Sequence, residues 1–176
     1  MAQFRQFERP HYFTGKLLTA DDLQREQDYF RGKSSLHNRF LHGWGIVAGL
    51  GVSVDQGTTV VVLPGLAIDC AGNELVLPEA ERIPLSGMSG RHYVTMRYVE
   101  VPVGRQASPQ GEPEFSRVRE AVRVELVCAN PVAGHSGMGP GSPGCGQSHA
   151  LCLATISQRA AHWHVAPAKR GFLRRK

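Results

Sequence analysis

Leu36-His37-Asn38-Arg39-Phe40-Leu41-His42-Gly43-Trp44-Gly45-Ile46-Val47 is where the chain changes its hydrophobic period. Upstream, Leu23, Gln27, Phe30, Ser34, His37 and Leu41 follow one another at three or four residues, with Tyr29, Leu36 and Phe40 beside them. That spacing is one stripe of an amphipathic helix. Thr19 before Ala20-Asp21-Asp22-Leu23 is its start: a hydroxyl accepts an orphan N–H, and acids favour the positive end of the helix dipole. The spacing predicts one helix over residues 20–42, weakest at Gly32 and ended by Gly43 and Gly45 around Trp44.

Downstream the period is two. Residues 46–54, 59–63, 66–70 and 74–77 are short and rich in branched side chains, and Gly57-Thr58, Pro64-Gly65 and Gly72-Asn73 punctuate them as turns. Residues 91–101 and 118–128 alternate apolar and polar, and further strands are expected at 151–157 and 162–165. Two breaks interrupt the pattern. Residues 104–116 read as a polar loop, and residues 129–148 carry six glycines and three prolines in 20 positions. Residues 1–18 read as an extended arm, since Pro10 and Gly15 discourage a helix. The expected fold class is α+β, mostly β: an aromatic arm and one long helix, then an antiparallel β-sandwich or small barrel. Residues 19–168 form one domain in this reading, with the β region over 46–165 and a basic tail at 169–176.

Composition narrows the class. The chain has 176 residues, 41% hydrophobic and 20% charged, with a mean hydropathy of −0.23, as soluble globular domains do. No apolar run approaches the ~18 residues of a membrane helix, and the first ten residues lack the apolar core of a secretory leader. The net charge of +5 belongs to the end of the chain. Lys169, Arg170, Arg174, Arg175 and Lys176 account for it, leaving 15 basic against 15 acidic side chains. A neutral body with a basic tail does not make nucleic acid the expected partner.

Chemistry has few footholds. Cys145, His149 and Cys152 are spaced four and three apart, and Cys128 or His135 offers a fourth ligand, a donor set that suits tetrahedral zinc. Against that, no CxxC pair exists, and Cys152 and Cys128 stand in apolar strands where cysteine is commonly a small hydrophobe. His37 and His42 sit five residues apart, on different sides of a regular helix, where imidazoles cap carbonyls rather than share a ligand. Asp69 ends a Pro-Gly-Leu-Ala-Ile-Asp strand and is expected to bond the turn toward Gly72. No GxSxG elbow, Walker loop, GxGxxG after a strand or HExxH is present, so no enzyme is expected.

Several stretches form a recognisable pattern. Tyr12-Phe13-Thr14-Gly15-Lys16-Leu17-Leu18 runs into Thr19-Ala20-Asp21-Asp22-Leu23, then Glu26-Gln27-Asp28-Tyr29-Phe30. Leu36-His37-Asn38-Arg39, Leu41-His42-Gly43-Trp44-Gly45, Pro64-Gly65-Leu66-Ala67-Ile68-Asp69 and Gly72-Asn73-Glu74-Leu75 follow. The pattern resembles a module found with tailed phages and phage-tail-like contractile injection systems, alone or at the front of baseplate-associated, tail-fibre or spike-like proteins. It covers residues 9–101, and more weakly 116–127 and 153–155; the 129–148 loop departs from it. The resemblance implies a non-enzymatic attachment or assembly component, built in the cytoplasm and carried into a virion or injection particle. Its expected partners are further copies of itself or other tail and baseplate proteins, with no membrane and no cofactor. Phe4, Phe7, Tyr12 and Phe13 are then docking anchors on an arm that reaches a neighbour. His37, Asn38, Arg39 and His42 are expected to lock the helix to the first strand and the arm through hydrogen bonds, with Trp44 and Asp69 as further structural residues of the motif. The alternative is a small zinc-containing enzyme or a zinc-stabilised binding domain.

Overall fold

A computed structural model describes residues 6–109, 111–131, 143–160 and 162–168. Phe4, His135, most of the glycine-rich loop and the basic tail lie outside the described residues.

Helix α1 spans Ala20–His37. Its start is a reciprocal capping box: the Thr19 hydroxyl accepts the Asp22 N–H at 3.2 Å, and the Asp22 carboxylate accepts the Thr19 N–H at 3.2 Å. Asp21 and Arg25, one turn apart, pair at 2.8 Å on the exposed face. The expected single α-helix to residue 42 is not regular throughout. Asn38–His42 form a π-helical turn, closed by the Gly43 N–H donating to the Asn38 carbonyl at 2.9 Å. Gly43 stops the helix at φ 77°, which a side chain would strain.

Ten strands follow among the described residues: β1 Gly45–Gly49, β2 Val52–Asp55, β3 Thr59–Val62, β4 Gly65–Ile68, β5 Glu74–Leu77, β6 Glu81–Pro84, β7 Arg91–Gln106, β8 Glu114–Val127, β9 Leu151–Arg159 and β10 His162–Pro167. They pair antiparallel into three sheets ordered β1-β4-β5, β2-β3-β6 and β10-β9-β7-β8. The four-stranded sheet packs against both smaller ones, through β7 and β8 on β5, β8 on β6 and β10 on β2. One core results, with Val60, Val62, Ala67, Leu75, Val94, Met96, Leu153 and Ile156 contributed from all three sheets. This is a β-sandwich with one layer split in two.

The split corrects the expectation of a single strand over 46–54. Gly49 and Leu50 both turn to positive φ, and a Cβ on Gly49 would lie 2.1 Å from the Pro64 carbonyl oxygen. The chain thus bends sharply between β1 and β2, with Leu50 buried at the corner. The expected polar loop at 104–116 is also corrected: β7 and β8 stay paired from Tyr93 opposite Val127 to Gln106 opposite Glu114. β9 covers β7 only over Arg91–Met96, so beyond Met96 the hairpin runs on as a two-stranded ribbon. Every described residue from 111 to 120 is exposed there.

Candidate functional site

The polar residues of the helix end converge on the turn between β4 and β5. Asn38, 7% exposed, donates through Nδ2 to the Gly72 carbonyl at 3.0 Å and to Glu74 Oε1 at 3.2 Å. Helix and turn touch backbone to backbone: a Cβ on Gly72 would stand 2.4 Å from the Ser35 carbonyl oxygen. Gly72 also holds φ 89°, so glycine is required on both counts. The turn is wound around Asp69, which is fully buried. Its Oδ1 accepts the backbone N–H groups of Ala71 at 2.8 Å and Asn73 at 2.9 Å. Its Oδ2 accepts Asn73 Nδ2 at 3.0 Å and the Ser148 hydroxyl at 2.6 Å. A buried carboxylate with four donors is satisfied, which is the condition for burying it at all.

Ser148 belongs to the return of the glycine-rich loop, and the helix end grips that return as well. Arg39 Nη2 donates to the Gly144 carbonyl at 3.0 Å, and the Gly146 N–H donates to the Cys70 carbonyl at 3.0 Å. A Cβ on Gly144 would meet the Cys70 carbonyl oxygen at 2.2 Å. Of the residues expected to lock the helix to β1 and the arm, Asn38 and Arg39 instead hold it to the β4–β5 turn and to Gly144. Trp44, 6% exposed, joins the sheet core. Gly144 and Ser148 carry no signal of their own in the sequence, since both stand in a glycine-rich run.

His37 and His42 are a correction. The π turn brings their Nε2 atoms to 3.1 Å, on one side of the helix rather than two. The four expected zinc ligands are not gathered. Cys145 Sγ lies 3.2 Å from His149 Nε2, Cys128 Sγ lies 3.7 Å from His92 Nδ1, and Cys152 points to the Ala154 carbonyl at 3.6 Å. Among the described residues no three His, Cys, Asp or Glu side chains are placed to hold a metal ion. Burial pushes the Cys70 thiol up to about 12 and the Cys152 thiol upward, so both stay protonated at neutral pH.

The described part of the arm, residues 6–18, runs along its own helix. The Phe7 ring meets Tyr29 edge-on at 6.2 Å, the Tyr12 hydroxyl donates to Glu26 at 2.9 Å, and Lys16 pairs with Asp22 at 2.7 Å. The Lys16 ammonium, with Thr19, holds the Asp22 carboxyl below the usual carboxylate value. Even so, Phe13 is 65% and Leu17 84% exposed. On the other flank Arg31 pairs with Glu100 of β7, which also accepts the Tyr98 hydroxyl at 2.9 Å.

Between the arm and the sheet body α1 presents a third face. No residue of α1 is buried, and Leu23, Phe30 and, in the π turn, Leu41 are 50%, 61% and 62% exposed. An apolar stripe of a helix is ordinarily its buried side. Here it is the side turned to water.

The chain is a helix joined to a mostly antiparallel β-sandwich. Solved structures of the same fold come from contractile injection machinery. A chain of the type VI secretion system TssK-TssF-TssG baseplate subcomplex, determined by cryo-electron microscopy, matches 93% of this chain at 12% identity with a TM-score of 0.54. A chain of the type VI secretion baseplate complex matches 93% at 12% identity with a TM-score of 0.51. This chain spans 61% and 59% of those chains, so the likeness is one of fold over part of their length. No protein-family model and no curated protein matches the sequence. The neighbours are baseplate components of a contractile injection system. They agree with the class that the arm-and-helix sequence pattern resembles. No helix of the described residues is long and apolar enough to cross a membrane.

Proposed function

We propose that this protein is a non-enzymatic assembly component of a phage-tail-like contractile injection particle, seated at the baseplate. The observation that carries the reading is the helix: a firmly anchored element whose apolar stripe faces water. Asn38, Arg39, Ser35 and the Asp69 turn fix its C-terminal end to the sandwich, while Leu23, Phe30 and Leu41 remain outside. Rigid presentation of apolar side chains lowers the entropy lost on docking, which is how a structural subunit gains affinity. The exposed β7–β8 ribbon, with Phe115 54% and Val118 59% exposed, offers a second contact. The baseplate membership of its fold neighbours and the resemblance of residues 9–101 supply the setting.

The zinc-stabilised alternative retains one feature, the Cys145–His149 pair, and a closed structural site takes four ligands. Metal content of the purified protein reads it directly. The assembly reading is tested by purifying sheathed particles from producing cells and identifying their subunits by mass spectrometry. Recovery of this chain at a fixed ratio to baseplate subunits is expected. Its consistent absence from intact particles would overturn the reading.

A further inference from the structure

We propose that Cys70 and Cys145 form a reversible thiol–disulfide site. Cys145, beside His149, exchanges with a small-molecule disulfide of the glutathione type, and Cys70 then displaces the adduct to bond the β4–β5 turn to the return of the glycine-rich loop. The site is independent of the assembly reading. Cys70 follows Asp69 in the turn, and the residues on either side of Cys145 both lie against its backbone. The Gly146 N–H donates to the Cys70 carbonyl at 3.0 Å, and a Cβ on Gly144 would stand 2.2 Å from that oxygen and 2.5 Å from the Cys70 Cα. The Cys145 backbone and thiol in turn hydrogen-bond to the Cys70 sulfur. A disulfide needs Cα atoms about 4.4–6.8 Å apart, and backbones in direct contact fall within that reach.

The two thiols are unequal. Cys145 is exposed, its Sγ lies 3.2 Å from His149 Nε2, and a Cβ on Gly146 would stand 3.0 Å from Arg39 Nη2. An accessible thiol beside an imidazole and a cation is the setting in which cysteine attacks disulfides. Cys70 is fully buried, and burial pushes its thiol up to about 12, so it reacts second. In the first step the Cys145 proton passes to His149 and its sulfur attacks one sulfur of the small disulfide. The other half leaves as a thiolate and takes the proton back from the imidazolium. In the second step the Cys70 sulfur attacks Cys145 Sγ, the adduct's S–S bond breaks, and the second half leaves as a thiol carrying the Cys70 proton. Two protein thiols are oxidised to one disulfide while one small disulfide is reduced to two thiols, and excess thiol reverses both steps. The bond makes covalent the clasp that Arg39 on Gly144 and Ser148 on Asp69 already form. Cys128 also meets an imidazole, His92 Nδ1 at 3.7 Å, and Cys152 turns to the Ala154 carbonyl; among the described residues neither hydrogen-bonds to a second thiol.

The folded full chain, incubated with glutathione disulfide, quenched with acid and read by intact mass and peptide mapping, tests this. Loss of two hydrogens with residues 70 and 145 linked is expected, beside a glutathione adduct on the exposed Cys128. Cys70→Ser should stop the reaction at a Cys145 adduct, and His149→Gln should slow formation of that adduct about 10-fold. Closing so long a loop should raise the melting temperature by roughly 5–15 °C, and dithiothreitol should reverse the rise. If Cys70→Ser fails to fold, the time course of the parent gives the same order, with the Cys145 adduct first and the linked product second. Glutathione adducts alone, a bond from Cys145 to Cys128 or Cys152, or a linked product retained in Cys70→Ser would overturn the site.

Discussion

Replacing Asp69 by alanine removes the centre of the lock. Four donors lose their acceptor at once: the N–H groups of Ala71 and Asn73, the Asn73 amide and the Ser148 hydroxyl. At about 1 kcal/mol net for each bond, the cost comes to about 4 kcal/mol, partly offset where water reaches the half-buried donors. For a chain of this length 1 kcal/mol shifts the melting temperature by about 2–4 °C, so Asp69→Ala should melt about 8–16 °C below the parent. Calorimetry gives the shift, and hydrogen exchange gives its location. Protection should fall first at residues 71–73 and 146–149, then at the helix end that Asn38 ties to Gly72. A melting temperature lowered by less than about 3 °C would refute the lock as a source of stability.

Three further outcomes follow from the same geometry. Gly72→Ala adds a Cβ 2.4 Å from the Ser35 carbonyl oxygen at φ 89°, and should destabilise by more than the roughly 1–2 kcal/mol of left-handed strain alone, read by urea unfolding. The Asp22 carboxyl is depressed by Lys16 and Thr19, so its hold on the arm is complete above the unfolded carboxylate value and is lost as pH falls through the lower folded one. An NMR titration of the Thr19 amide should show its midpoint below about 3.9, and Lys16→Met should move it upward; a midpoint at or above that value contradicts the latch. Thiol titration of the folded protein should find the exposed Cys128 and Cys145 fast, with Cys70 and Cys152 slow until denaturant is added. Four equally fast thiols would contradict that burial.

The helix, its cap and the switch to strands at Trp44 are legible in the sequence because each is a local signal: Thr19 with Asp22, a stripe of three-and-four spacing, paired glycines. β6 is not, because Glu-Arg-Ile-Pro has no second apolar position to alternate, and its Pro84 is tolerated only because β6 pairs on one side, with β3. The outer half of the β7–β8 hairpin is hidden for a related reason, since both of its faces meet water and alternation vanishes. Asp69 is readable from its turn, whereas its bond to Ser148 joins residues 79 apart. The pairing of His37 with His42 depends on a π turn, and the 3.6-residue rule places those rings apart. The stripe of α1 is fully readable as a pattern. Which side of it meets water is decided by where Asn38 and Arg31 anchor the helix, and that is tertiary information.

Deleting the gene and imaging the particles by electron microscopy tests the assembly claim most directly. Loss of complete sheathed particles, with tubes or sheaths lacking a proper base and restoration by the parent chain but not by Phe30→Glu, is the predicted result. Particles of normal number and form in the deletion strain would contradict the account.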